Sequence, residues 1–139
     1  MILLDTSVLS RAFRRRRPSP AEASLRAIVE SLLDGDADLG VPGIVLQEVL
    51  SGIRSERQFA DLQRTLVTAF SIVHATTDDH VEAARLRNRC LASGVNASGT
   101  DCLIAAVAVA GGHALFAMDD DFVAIAKLAP LELYSPARH

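Results

Sequence analysis

Met1-Ile2-Leu3-Leu4-Asp5-Thr6-Ser7 opens the chain as a continuous apolar run that stops on an aspartate followed by two hydroxyl residues. Four adjacent apolar residues with no polar interruption suit a strand buried on both faces, and Asp-Thr-Ser is the chemistry of a helix start. A buried strand feeding directly into a helix is the building unit of an α/β sheet. The rest of the chain repeats it.

Working outward from that unit, five of the seven residues 11–17 are arginine, and Pro18-Ser19-Pro20 then breaks the chain. Residues 21–33 carry Leu25, Ile28, Val29, Leu32 and Leu33 at helical spacing, ending at Asp34-Gly35-Asp36. Residues 39–41 predict a minimal second strand, with Pro42 in the first turn of a helix that contains Glu48 and runs to about Ile53. Residues 56–70 read as helix and 71–74 as strand. Residues 77–92 read as a helix with Val81, Ala84, Leu86 and Leu91 facing inward and Gly94 closing it. Residues 99–110 are small and apolar after Asp101, the pattern of a helix buried on most of its surface, and Gly111-Gly112 ends it. Residues 114–118 form the next strand, a short helix follows Asp119-Asp120-Asp121-Phe122 to about Leu128, and residues 131–134 form the last strand. This alternation predicts one α/β domain spanning 1–139, a mainly parallel sheet between two layers of helices. In such sheets the functional crevice lies outside the carboxyl ends of the strands, where strand order reverses.

Composition narrows the function classes. With 139 residues, half of them hydrophobic, the chain supports one core and is short for two domains. Its longest apolar run, from Cys102 to Ala110, falls short of the ~20 residues that span a bilayer, and no basic leader precedes the first strand. These features predict a soluble cytoplasmic protein with no membrane partner. Cys90 and Cys102 have neither zinc-site spacing nor the numbers of a disulfide framework. The net charge of -3 argues against a surface coated in nucleic acid, yet that total hides a segregated pattern, arginine in one stretch and acids elsewhere.

The acids carry the functional signal. Asp5 ends the first strand, Glu48 shares a helix face with Ile44 and Val45, Asp101 opens the buried helix, and Asp119 ends the fourth strand. Asp121, two residues after Asp119, faces the same rim as a second ligand or water holder, with Asp120 pointing outward. Carboxylates brought within ~4–6 Å raise one another's pKa unless a cation offsets the repulsion. A set of oxygen ligands with no histidine or cysteine selects Mg²⁺ or Mn²⁺ over zinc, and such centres suit phosphodiester hydrolysis.

Asp5-Thr6-Ser7-Val8-Leu9, the glutamate of Val45-Leu46-Gln47-Glu48-Val49, Asp101-Cys102-Leu103-Ile104-Ala105-Ala106 and the Asp119-Asp120-Asp121-Phe122 run together resemble a PIN domain, most closely the VapC-type toxins of toxin-antitoxin pairs. The resemblance covers nearly the whole chain. It implies a three-layer αβα sandwich and a Mg²⁺- or Mn²⁺-dependent endoribonuclease that cleaves RNA, forms a homodimer and is held inactive by a cognate antitoxin. Asp5, Glu48, Asp101 and Asp119 would be its catalytic acids, joined by Asp121 as metal ligands, with Thr6 as hydroxyl support.

Structural roles stand beside these. Asp5 also suits a helix N-cap, Glu48 a solvated helix position, and Asp101 follows Ser98 at the spacing of a capping box. Arg14, Arg15, Arg16 and Arg17 read either as contacts to RNA phosphates or as a solvated loop or acidic-partner surface. The histidines share no spacing with the acids, and Phe122 reads as core. A haloacid dehalogenase-type phosphatase needs an aspartate where Ser7 stands, and a receiver domain needs one at the end of its third strand, where Ala75-Thr76 stand. The alternative of another class is a PIN-like module that binds RNA or protein without cleaving it.

Overall fold

In a computed structural model, residues 1–14 and 17–136 are described. The opening run forms β1 (Ile2–Leu4), the middle strand of a five-stranded sheet in the order β3-β2-β1-β4-β5. Its neighbours are β2 (Leu39–Pro42) and β4 (Ala114–Phe116), and the edges are β3 (Ser71–Val73) and β5 (Glu132–Leu133). Every pairing is parallel, with Leu3 opposite Gly40 on one side and Leu115 on the other. Being covered on both faces, the inner strands carry apolar residues without alternation: Leu3, Leu4, Val41, Leu115 and Phe116 are all buried. A Cβ on Gly40 would meet Leu3 Cδ2 at 2.8 Å and Met1 Sδ closer still, so any side chain there would have to push those two side-chain ends aside.

The chain steps outward from β1 to β2 to β3 and then crosses back to β4 and β5. Right-handed crossovers travelling in opposite directions put their helices on opposite faces of the sheet. One layer holds α1 (Thr6–Phe13), α2 (Pro20–Asp34), α3 (Gly43–Leu50) and α4 (Glu56–Ala69), with α1 packed on α2 and α3, and α3 on α4. The other holds α5 (Thr77–Ala92), α6 (Gly99–Gly111) and the short α7 (Asp121–Ile125), with α6 packed on both its neighbours. The αβα sandwich with a parallel sheet is thus present, and strand order reverses between β1 and β4. No helix among the described residues is long and apolar enough to cross a membrane.

Local signals explain most helix boundaries. Ser19 and Glu22 close a capping box around Pro20, and Thr76 and Asp79 close another at the start of α5. After α5, Gly94 takes a φ of 71°, and Val95 N–H returns to the Cys90 carbonyl at 2.8 Å, ending the helix in a Schellman turn. Gly112, at a φ of 65°, ends α6 in the same left-handed region.

Three expectations need correction. Pro42 closes β2 and precedes the first residue of α3, which stops at Leu50; the Ser51 hydroxyl competes for the Gln47 carbonyl at 2.6 Å and Gly52 turns the chain at a φ of 87°. In α5, Val81 and Leu91 are 45% and 57% exposed and Ala84 is exposed, so of the four residues expected to face inward only Leu86 does. The buried stripe is Asp79, Ala83, Leu86 and Cys90. The cap sets that phase: Asp79 turns back to the Thr76 backbone, and its face carries small residues that admit the alanine-rich α6. Finally β4 ends at Phe116, so Asp119 lies three residues beyond the strand.

Candidate metal centre

Asp5 takes an extended backbone (φ -83°, ψ 162°) immediately after β1, and its N–H reaches the Phe116 carbonyl at 3.0 Å. The sheet ladder therefore holds Asp5 beside the end of β4. Asp5 is also the N-cap of α1: Oδ2 accepts from Ser7 N–H at 3.1 Å and from Ser7 Oγ at 2.6 Å. The cap role and a place at the rim coexist. Among the described residues Asp5 is one of two buried charged residues, 4% exposed, and the other, Asp79, belongs to the α5 cap.

Thr6, the first residue of α1, donates its hydroxyl to Glu48 Oε1 at 2.7 Å. Glu48 is half-buried on α3, and the bond ties α1 to α3 where they pack. Thr6 thus commits its hydroxyl to the Glu48 carboxylate.

On the opposite helix layer, Ser98 caps α6 by accepting from Asp101 N–H at 3.0 Å. The return bond of a capping box, from Ser98 N–H to the Asp101 carboxylate, is not formed, which frees that carboxylate for the rim. After β4, Asp119 Oδ1 accepts from Asp121 N–H at 2.9 Å, a local turn that brings the two acids to one side while Asp120 stays exposed between them. Carboxylate oxygens of Asp101, Asp119 and Asp121 all lie within 4.8 Å of one another.

The cost of this convergence appears at Asp101. Its pKa is raised from 3.8 to about 6, first by burial and then by the negative charge of Asp119, with Asp5 and Asp121 adding to the repulsion and the Ser98 bond opposing it. Asp5 therefore contributes to the field at the cluster although the closest triple is Asp101, Asp119 and Asp121. Glu48 lies outside that triple and is engaged by Thr6. The donors are all oxygen and unneutralised by any ion pair among the described residues, which fits Mg²⁺ or Mn²⁺.

The arginines divide. Arg14 donates Nη2 to the Ser51 carbonyl at 2.8 Å, pinning the end of α1 to the turn after α3, while Arg11 and Arg17 are exposed. Arg15 and Arg16 lie outside the described residues. Phe122 is 1% exposed and packs in the core. Ser7 is the site residue whose weight the sequence reading did not isolate; its signal is a hydroxyl two residues after an N-capping aspartate.

Residues 2–128 match the family model of the PIN domain. The chain belongs to the PIN domain family. No curated protein sequence matches it. Among solved structures it is similar to a toxin-antitoxin complex from Klebsiella pneumoniae (19% identity, 100% of each chain covered, TM-score 0.72). It is similar also to DNA-bound VapBC from Salmonella typhimurium (15% identity, 98% of each chain, TM-score 0.77). A third likeness is to VapC20 of Mycobacterium tuberculosis, a sarcin-ricin loop cleaving toxin (19% identity, 89% of this chain and 94% of that one, TM-score 0.67).

Proposed function

We propose that this chain is a Mg²⁺- or Mn²⁺-dependent endoribonuclease, the toxin of a toxin-antitoxin pair, acting as one domain over 1–139. The observation that carries the reading is the convergence of Asp101, Asp119 and Asp121 within 4.8 Å at the rim where β1 and β4 end, with Asp5 beside them. PIN-domain membership and the likeness in fold to toxin-antitoxin complexes and to an RNA-cleaving toxin support it.

In this reading Asp5, Asp101, Asp119 and Asp121 hold the divalent ion, with Glu48 at the edge of the site. A divalent ion bound there supplies charge to activate water and to stabilise the leaving oxygen of a phosphodiester. The residues do the rest. Asp101, whose carboxyl is held at about 6, is ionised at neutral pH and would have to give up a proton for a divalent ion to bind only below that value. Glu48, oriented through Oε1 by Thr6, keeps Oε2 to take a proton from an attacking water. Exposed Arg17 and Arg11 approach the RNA backbone as diffuse charge. A cognate antitoxin and a second copy of the chain are the partners of this reading.

Purified protein incubated with an RNA pool tests it. Cleavage is expected only with Mg²⁺ or Mn²⁺ and is lost in Asp5→Asn. No cleavage together with no bound metal would replace the enzyme by a binding module, and equal cleavage by Asp5→Asn would trace the activity to a contaminant.

A further inference from the structure

Between the two strand ends that define the rim lies a single hydroxyl. Ser7 Oγ donates to Asp5 Oδ2 at 2.6 Å, within the short range of a charge-assisted bond, and accepts from Met118 N–H at 2.9 Å. The second partner is 111 residues away in sequence and immediately precedes Asp119. By Met118 the β4 ladder has already ended, at Phe116, so this amide has no strand partner. A hydroxyl has one hydrogen to give, and Ser7 gives it to Asp5; a lone pair is then what faces Met118.

Asp5 is constrained in turn. Oδ2 takes both the Ser7 N–H and the Ser7 hydroxyl, whereas Oδ1 takes no hydrogen bond among the described residues. Nor is Oδ1 sealed away, since the one side-chain polar atom both sealed and unbonded among the described residues is Arg87 Nη1. Thr6 cannot stand in for Ser7, because its hydroxyl is committed to Glu48.

We infer that Ser7 is a positioning residue: its hydroxyl is a strut between β1 and β4 that leaves Asp5 Oδ1 as the one oxygen offered to a divalent ion and holds the backbone leading to Asp119 in register. The inference rests on the metal-dependent reading above. A hydroxyl that acts through a ligand in this way is worth ~10–100-fold in metal affinity.

Mn²⁺ alone, titrated calorimetrically into the full-length protein, is the probe, and amide hydrogen exchange at Met118 is the second readout. Ser7→Ala is expected to raise the Mn²⁺ Kd at least ~10-fold and to speed exchange at Met118, with the fold retained by circular dichroism. Ser7→Thr, which keeps the hydroxyl, is expected to restore both. If wild type binds Mn²⁺, Asp119→Asn weakens it and Ser7→Ala does not, the inference is overturned while the metal reading stands. If wild type binds no Mn²⁺, the metal reading fails and takes this one with it.

Discussion

Replacing Asp101 by asparagine should make the metal-free protein more stable, against the ordinary expectation for a half-buried helix residue. Holding this carboxyl at about 6 instead of 3.8 corresponds to ~3 kcal/mol of destabilisation at neutral pH, which solvent screening reduces to ~1–2 kcal/mol. Because the folded-state pKa is raised, the native protein binds more protons than the unfolded chain between those two values. Stability therefore falls as pH rises through that window and is flat above it. Asp101→Asn should accordingly gain ~1–2 kcal/mol in urea denaturation with chelator at about pH 7.5, or ~2–6 °C in Tm. The gain should halve at about pH 5 and nearly vanish at about pH 4, where wild-type Asp101 is itself neutral. Saturating Mn²⁺ should reverse the ranking, since a ligand at ~100 times its Kd adds ~2.7 kcal/mol to the wild type, and little to the variant. A variant less stable than wild type without metal at neutral pH, or a gain indifferent to pH, would refute the reasoning that burial, with the neighbouring carboxylates, makes the charged Asp101 costly until a cation offsets it.

Three further outcomes follow from named contacts. Thr6→Val removes the 2.7 Å bond to Glu48 and should cost ~1–2 kcal/mol in urea denaturation, with kcat falling more than KM; unchanged values would show that Glu48 is not held from α1. Phe122→Ala should cost ~3–5 kcal/mol, because the ring is 1% exposed and anchors the helix that carries Asp121; a loss below ~1 kcal/mol by thermal denaturation would place that anchor elsewhere. Arg14→Ala should lower stability by ~1 kcal/mol and leave the salt dependence of RNA binding intact, whereas Arg17→Ala should cut the salt slope by ~0.7–1 at little cost in stability. An exchange of those two results would reverse the division of the arginines.

Strand ends were the legible part of the site. Asp5 and Asp119 each follow an apolar run, and a parallel sheet that reverses its order between their strands brings both to one crevice. Helical phase places Glu48 and the start of the buried helix places Asp101, and neither shows the reach of a side chain. Reach depends on loop geometry: the turn in which Asp119 accepts from Asp121 swings Asp121 into the closest triple, while Thr6 draws Glu48 to its own bond. On α5 apolar character alone does not give the phase, because Ala83 and Ala84 are equally apolar and only the first is buried. There the layer contact is close, so alanine and cysteine go inward and Val81 and Leu91 stay out. Arg14 looked like its neighbours along the chain, and only the turn after α3 distinguishes it.

The position of β1 also sets when the site comes into being. Its partners are drawn from residues 39–42 on one side and 114–116 on the other, so β1, synthesised well before β4, waits for that later strand before its ladder is complete. Asp5 emerges from the ribosome long before Asp101, Asp119 and Asp121. A nascent chain released before α6 lacks three of the four clustered carboxylates, and one released before β4 also lacks the Phe116 carbonyl that fixes Asp5. Because the clustered carboxylates are drawn from Asp5 at one end of the fold and Asp101, Asp119 and Asp121 at the other, prematurely terminated products cannot assemble the cluster.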